Sequence, residues 1–310
     1  MFQKILMPVD GSPYSHKATQ VGLELCKQIG GSVVFTYAQA AYANQDDGLR
    51  LLAPYQKMAQ EAGVEHQIRL TDGDTQNVST AIIEVGQATD CDLVVMGTHG
   101  RERFARLLLG SVAERVSRQA QIPVLLIHEN TVFSQFKNIL VAVDGSPASF
   151  LALTTANDLA AALSAKLEII NIIPDANSIF GYNSLEYSPV VDLGRYKLDL
   201  ENGSRTVIKA ALGLLESNPN KPSSVHSSSQ EAQTLSVGNA ILEVAKEKQA
   251  DVIVMGTHGY GGLERLLLGS VAEQVSHHSH APVLLVREKL NQAKLGLDSA
   301  ASFAALLPTP

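Results

Sequence analysis

The sequence lacks tryptophan and has only two cysteines, Cys26 and Cys91, among its 310 residues. Two cysteines exclude a disulfide-stapled scaffold and a cysteine-rich zinc or iron–sulfur site, and they are typical of buried thiols in a reducing compartment. An excess of positive charge is also missing, because the formal net charge is −7. Since a nucleic-acid-binding face needs a basic patch, this balance argues against nucleic acid as a partner.

Long hydrophobic runs are absent as well. No apolar run reaches the ~18 residues that a membrane-spanning helix needs, so we expect no membrane span. The N-terminal segment MFQKILMPVD carries one lysine and leads directly into Asp10-Gly11-Ser12, which is typical of a first strand and not of a signal peptide. We therefore expect a cytoplasmic protein. Its 45% of hydrophobic residues are enough for two packed domains of ordinary size.

The chain contains an internal repeat. The segment KILMPVDGSP (4–13) recurs as NILVAVDGSP (138–147), with 7 of 10 positions identical. The segment at 92–116 recurs at 251–275, with 17 of 25 positions identical. Because the order of the segments is preserved, the repeat indicates a duplicated domain and not a solenoid of small units.

The repeats predict the domain boundaries. We place the first domain at 1–129, the second at 136–288 and a C-terminal tail at 289–310. The two repeated segments lie 25 residues further apart in the second copy, so we place an insert near 175–191. For the tail, a frayed end and a docking segment both stay open.

Each copy alternates between strand-like and helix-like segments. In the first copy, the continuous apolar runs Ile5–Val9, Val33–Ala38 and Leu93–Met96 are separated by segments of helical spacing. Continuous apolar runs between helices are typical of strands buried on both faces of a parallel sheet. The sequence therefore predicts the α/β class, with two doubly wound domains.

Glycine-rich segments follow the first and fourth predicted strands. In the first copy these are Asp10-Gly11-Ser12 and Gly97-Thr98-His99-Gly100, and nine residues later Gly110-Ser111 opens a helix. Glycines let the backbone approach a phosphate, and a helix start offers free N–H groups. A carboxylate such as that of Asp10 is a poor phosphate ligand, but it suits a ribose hydroxyl or an adenine edge. The pattern predicts a pocket for an adenine nucleotide at the carboxyl ends of the strands.

A purely structural explanation exists for each residue taken alone. Gly97 and Gly100 would also suit a tight turn, and Ser111 and Asp10 would also suit helix caps or an Asx-turn. The full spacing Gly-x2-Gly-x9-Gly-Ser is present in both copies with an upstream aspartate. Turns alone explain that coincidence poorly, so the spacing favours a ligand site.

The segments VDGSP and MGTHG, the glycine spacing and the closing PVLLI resemble the universal stress protein family. The resemblance covers both copies and is that of a tandem member of the ATP-binding type. It implies a five-stranded parallel sheet in the order 3-2-1-4-5 in each domain. It further implies that the two domains are related by a pseudo-two-fold axis through their fifth strands, Val124–Ile127 and Val283–Val286.

The resemblance also implies a set of nucleotide contacts. In the first copy they fall on Pro8, Val9, Asp10, Ala38, Met96, Gly97, Gly100, Gly110, Ser111 and Val112. In the second copy they fall on Ala142, Val143, Asp144, Ile172, Met255, Gly256, Gly259, Gly269, Ser270 and Val271.

This sequence departs from the family pattern in a few places. Tyr37 and Asn171 stand where the family usually has a histidine, and Ala38 is smaller than the usual branched residue. Arg101 and Arg103 follow Gly100, where the second copy has Tyr260, Gly261 and Gly262. Whether both pockets bind equally is therefore open at this point.

Histidines are the remaining candidates for chemistry. His99 and His258 lie inside the glycine segments with no carboxylate or second histidine beside them in sequence, so we expect contacts to backbone or nucleotide. His277, His278 and His280 form a short cluster, in which two ligands at near-helical spacing could bind zinc weakly. The first copy has no counterpart of this cluster, and we predict no metal site.

The expected function is binding of ATP, AMP or a related adenine nucleotide, with Mg accompanying a triphosphate. The resemblance implies a sensing or signalling role under stress. Two alternatives stay open: an interaction module with one or both pockets empty, and a slow ATPase or autokinase acting at Ser111 or Ser270. No phosphate-binding P-loop, nucleophile elbow or dinucleotide fingerprint is present, so we predict no enzyme. A protein partner and further homodimerisation stay open, besides the pairing of the two domains.

Overall fold

The computed structural model describes residues 2–39, 44–72, 78–100, 109–129, 131, 135–175, 193–232, 236–259 and 268–287. In the first half the elements are β1 (Lys4–Pro8), α1 (Pro13–Ile29), β2 (Ser32–Gln39), α2 (Gln45–Ala62), β3 (His66–Asp72), α3 (Val78–Ala88), β4 (Leu93–Gly97), α4 (Ser111–Gln119) and β5 (Val124–Ile127). In the second half they are β6 (Asn138–Ala142), α5 (Pro147–Ala162), β7 (Lys166–Ile173), α6 (Leu193–Glu216), β8 (Ser224–Glu231), α7 (Val237–Glu247), β9 (Val252–Gly256), α8 (Ser270–His278) and β10 (Val283–Val286).

The described strands form one ten-stranded sheet. Their order is β3-β2-β1-β4-β5-β10-β9-β6-β7-β8, which is the order 3-2-1-4-5 twice, the second time reversed. All pairs within a half are parallel, whereas β5 and β10 pair antiparallel with Leu284 opposite Leu125. The predicted fold class and the predicted pairing of the fifth strands are confirmed.

Apolar side chains cover both faces of this sheet. Because alternate residues of a strand point to opposite faces, Leu125 and Leu284 belong to one buried cluster, and Leu126 and Leu285 belong to the other. Each cluster contains residues of both halves. The core is therefore continuous across the β5–β10 junction.

Helices α1 and α5 begin in the same way. The Ser12 hydroxyl caps α1 by accepting a hydrogen bond from the Ser15 N–H at 3.1 Å, and Ser146 caps α5 in the same way. A proline follows each cap at the first helical position, where its fixed φ suits the helix. These starts fix the chain immediately after β1 and β6, next to Gly11 and Gly145.

Two aspartates tie the starts of neighbouring strands together. The Asp92 carboxylate, just before β4, accepts hydrogen bonds from the N–H groups of Gln3 and Lys4 at 2.7 and 3.1 Å. Asp251 repeats this arrangement before β9 with Lys137 and Asn138, at 2.8 and 2.7 Å. Each carboxylate thus satisfies backbone donors at the end of the sheet opposite the candidate site.

The insert near 175–191 lies almost wholly outside the described residues, as does the tail at 289–310. The helix that follows the insert, α6, has 24 residues, whereas its first-half counterpart α2 has 18. Among the described helices, none is long and apolar enough to cross a bilayer.

Candidate functional site

The connection from β4 to α4 brings two glycine segments of the first half together. Residues 98–100 and 109–110 are its described parts. The Thr98 N–H donates to the Ile127 carbonyl at 2.9 Å, and the Gly110 N–H donates to the Thr98 carbonyl at 2.7 Å. A Cβ on Gly110 would lie 3.1 Å from that carbonyl oxygen and 3.2 Å from Cα of His99. The close approach of backbone to backbone therefore favours glycine at position 110.

The second half repeats this geometry. The Thr257 N–H donates to the Val286 carbonyl at 3.0 Å, and the Gly269 N–H donates to the Thr257 carbonyl at 2.8 Å. A Cβ on Gly269 would lie 3.1 Å from the same oxygen. The repeated glycine spacing thus corresponds to a repeated backbone structure.

An aspartate at the end of the first strand of each half faces the last glycine of the loop. In the first half the Asp10 carboxylate accepts a hydrogen bond from the Ser12 N–H at 3.0 Å, across Gly11, whose φ is +82°. A Cβ on Gly100 would lie 2.7 Å from Oδ2 of Asp10. The carboxylate therefore lies directly against the loop, and glycine leaves it room.

The second-half carboxylate has the same environment. Asp144 accepts from the Ser146 N–H at 2.9 Å, and Gly145 has a φ of +90°. A Cβ on Gly259 would lie 2.5 Å from Oδ2 of Asp144. Since residues with a side chain rarely adopt such φ values, the sequence Asp-Gly-Ser fixes the carboxylate at this point in both halves.

The helices that follow the loops begin with uncapped amide groups. Gly110 and Gly269 occupy the N-cap positions of α4 and α8, and neither provides a side-chain hydrogen bond. The first-turn serines, Ser111 and Ser270, are exposed. Backbone N–H groups and the positive end of a helix dipole at one place suit an anion such as a phosphate.

A cavity of about 470 Å³ opens at this end of the second half. Its volume is within the usual range of small-molecule sites. All ten residues predicted in the second half line it: Ala142, Val143, Asp144, Ile172, Met255, Gly256, Gly259, Gly269, Ser270 and Val271. Residues that are scattered over 130 positions of sequence thus surround one space.

Eight further residues line the cavity and are not among the ten predicted nucleotide contacts, although His258 was expected to contact backbone or nucleotide. Four are apolar and four are polar: Val237, Ile241, Leu268, Ala272, Ser149, Asn171, Thr257 and His258. Val237 and Ile241 lie one helical turn apart on α7, so their spacing marks them as one face of a helix. Only the fold shows that this face is turned toward the glycine loop.

The ten residues predicted in the first half occupy the matching positions of its strands and loops: Pro8, Val9, Asp10, Ala38, Met96, Gly97, Gly100, Gly110, Ser111 and Val112. In the described part of the first-half loop, the rings of Tyr14 and His99 lie 5.1 Å apart. In the second half Ala148 packs at the place of Tyr14, against Gly256. Arg101, Arg103, Tyr260, Gly261 and Gly262 lie outside the described residues.

The histidines contact neighbouring polar groups of the protein. Nδ1 of His99 lies 3.1 Å from the Thr98 hydroxyl, and Nδ1 of His258 lies 2.9 Å from the Thr257 hydroxyl. In the C-terminal cluster, Nδ1 of His278 lies 2.9 Å from the Gln274 carbonyl. Within the described part of the chain, no group of three or more histidine, cysteine, aspartate or glutamate residues has the geometry of a metal site.

Comparison with known proteins decides the family. The family model described as Universal stress protein family matches residues 1–128 and 135–287. The chain belongs to this family. A universal stress protein of Mycobacterium tuberculosis is 29% identical over 250 residues, which cover 79% of this chain and 78% of the relative.

Other universal stress proteins are similar to one half or to the whole chain. One from Methanocaldococcus jannaschii is 32% identical over 143 residues, which cover 41% of this chain and 82% of that protein. The crystal structure of a universal stress protein from Archaeoglobus fulgidus superposes with a TM-score of 0.63 at 23% identity, and it covers 92% of this chain and 98% of its own. The likeness to that structure shows a shared fold. The family inferred from the repeated motifs is therefore confirmed.

Proposed function

We propose that this universal stress protein binds an adenine nucleotide, ATP or AMP, and acts as a nucleotide-dependent sensor or signalling module in the stress response. The observation that carries the proposal is the second-half cavity, which combines an apolar side, a carboxylate and uncapped helix amides. An adenine nucleotide needs these three environments for its base, its ribose and its phosphates.

The order of the strands supports a direction for the bound nucleotide. The strands β9, β6 and β7 are neighbours in that order. The glycine loop follows β9, Asp144 follows β6, and Ile172 lies on β7 beside the apolar side chains of α7. In the proposed complex the phosphates lie at the β9 side, the ribose hydroxyls meet Asp144, and the base lies at the β7 side.

The proposed activity is binding without rapid turnover. Phosphoryl transfer usually needs a lysine or arginine and a metal-binding carboxylate near the γ-phosphate. The described residues that line the cavity contain no lysine or arginine. We expect labelled ATP to give neither free phosphate nor labelled protein above background, and rapid release of phosphate would contradict this part of the proposal.

Both cysteines are buried free thiols, and burial raises the pKa of Cys26 to about 12. The raised pKa makes this thiol unreactive, and free cysteines are typical of a reducing compartment. This supports the cytoplasm as the place where the protein acts.

A glycine substitution tests the binding proposal. In Gly259→Ala the added methyl group would lie 2.5 Å from Oδ2 of Asp144, so the carboxylate has to move out of its position. We expect this change to weaken ATP binding to the second half at least tenfold in calorimetric titration, because the contact to the ribose is lost.

The matched control is Gly203→Ala on α6, where an added Cβ meets no atom within 4 Å. The control is expected to bind ATP like the unaltered protein. Full ATP affinity in Gly259→Ala, or the absence of ATP and AMP binding by the unaltered protein, would contradict the proposal.

A further inference from the structure

The β7 side of the second-half cavity has an apolar wall. Ile170 and Ile172 are two residues apart on β7, so their side chains share one face of the sheet. Ile170 is 1% exposed and Ile172 is 8% exposed, and Ile172 lines the cavity. A flat aromatic ring that enters this side of the cavity loses contact with water against a branched hydrocarbon side chain.

The first half has different residues at the same two positions. The Val9 N–H donates to the Thr36 carbonyl at 2.9 Å, as the Val143 N–H donates to the Ile170 carbonyl at 2.8 Å. Thr36 therefore corresponds to Ile170, and two residues further along β2 Ala38 corresponds to Ile172. At the outer position of the wall, the second half has the branched apolar side chain of Ile172, whereas the first half has only the methyl group of Ala38.

The inner position of the first-half wall is polar. Thr36 is fully buried, and its hydroxyl has no hydrogen-bond partner among the described residues. The small side chain of Ala38 lies next to it on the same face. At this place the first half therefore offers a base less hydrocarbon contact than Ile172 does, and the unsatisfied Thr36 hydroxyl lies buried behind Ala38.

We propose that the two halves are unequal nucleotide sites and that the second half binds the nucleotide more tightly. The cause is the apolar wall, which has Ile172 at its outer and Ile170 at its inner position. The first half has Ala38 and Thr36 at these positions. This inference rests on the proposed function and specifies it further. Among the described residues, both halves share the aspartate, the loop glycines and the helix start, so these contacts to ribose and phosphate are the same in both halves. The difference lies on the side that receives the base.

The size of the difference follows from the hydrocarbon that Ala38 lacks. Alanine has three carbon atoms fewer than isoleucine, and two of them in contact with the base correspond to about 1.6 kcal/mol at ~0.8 kcal/mol for each buried methylene. That converts into dissociation constants that differ roughly 15-fold. The two sites are then distinguishable in one titration.

Calorimetric titration of the full chain with ATP tests the inequality. The unaltered protein is expected to show two classes of site about 15-fold apart. Gly259→Ala is expected to remove the tight class and Gly100→Ala the weak class, because each added methyl group displaces the aspartate of its own half.

Substitutions at the wall test the cause. Ile172→Ala is expected to weaken the tight class about 15-fold, and Ala38→Ile to strengthen the weak class toward it. Ile173→Ala serves as the matched control, because the neighbouring residue on β7 points to the other face of the sheet. It is expected to leave both classes unchanged.

The outcomes separate this inference from the proposed function. Two equal classes in the unaltered protein, or an Ile172→Ala variant with unchanged affinity, would overturn the inequality and leave nucleotide binding intact. Failure of the unaltered protein to bind ATP or AMP at all would overturn the proposed function instead. If circular dichroism shows that Ala38→Ile is misfolded, the affinity of Ile172→Ala alone decides whether the wall causes the inequality.

Discussion

At the scale of single residues, His128 connects the two halves. It follows β5, and its Nε2 lies 2.9 Å from the carbonyl of Ser276 on α8. Because a carbonyl only accepts, Nε2 carries the proton, while Nδ1 is buried without a partner among the described residues. Burial lowers the pKa of His128 to about 4, the hydrogen bond to Ser276 opposes this, and the nearby His99, His280 and His277 add to the lowering.

This lowered pKa predicts a loss of stability in acid. The pKa of His128 lies below the ordinary value of about 6.5. As the pH falls, the unfolded chain therefore binds a proton before the folded protein does. The contribution of His128 to the free energy of unfolding is complete above about pH 6.5 and declines toward pH 4. Between about pH 7.5 and about pH 5, we expect the free energy of unfolding to fall by about 2 kcal/mol more in the unaltered protein than in His128→Gln.

Urea unfolding at the two pH values measures this difference. His226→Gln is the matched control, because His226 is exposed on β8 and its imidazole is not buried between the halves. An identical loss of stability in His128→Gln and in the unaltered protein would show that His128 is not responsible.

At the scale of elements, a motif that fixes the backbone conformation predicts the end of a helix or strand better than apolar periodicity does. Asp-Gly-Ser-Pro predicts the end of β1 and the start of α1, because glycine, cap and proline each fix a backbone conformation. Helix α2 begins at Gln45, four residues before the apolar periodicity starts at Leu49. The Asn44 side chain caps it by accepting from the Asp46 N–H at 3.1 Å, and its first turn is polar.

The carboxylate of Asp251, just before β9, holds the start of the neighbouring strand β6. Asp251 accepts two backbone hydrogen bonds at the start of β6, and charge-assisted bonds of this kind are stronger than neutral ones. We expect Asp251→Ala to lower the free energy of unfolding by about 2 kcal/mol, because both backbone donors lose their partner. Urea unfolding measures the change.

Asp199→Ala is the control for this substitution, since Asp199 is exposed on α6. The control is expected to change the free energy of unfolding by less than ~0.5 kcal/mol. A similarly small change in Asp251→Ala would mean that water replaces the carboxylate at no cost and that the link between β6 and β9 does not stabilise the sheet.

At the scale of the whole molecule, the repeat and the resemblance were enough to predict the ten-stranded arrangement. A duplicated strand–helix pattern predicts two parallel sheets, and the apolar runs Val124–Ile127 and Val283–Val286 are the strands that join them. Val237 and Ile241 could not be assigned to the site from sequence, and the resemblance marked Asn171 only as a departure from the family pattern. Their places depend on which helix covers which face of the sheet and on a hydrogen bond of 2.7 Å from the Asn171 side chain to the Val143 carbonyl.

If the glycine loops hold an adenine nucleotide, part of it stays bound when the protein is purified. Mass spectrometry of the small molecules released from freshly purified protein tests it most directly, with the amount per chain as the second readout. We expect an adenine nucleotide at about one equivalent per chain, retained by the second half, and its loss from the Gly259→Ala variant. Purified protein that releases no adenine nucleotide, and that also binds no added ATP, AMP or cyclic nucleotide, would contradict nucleotide binding by the glycine loops.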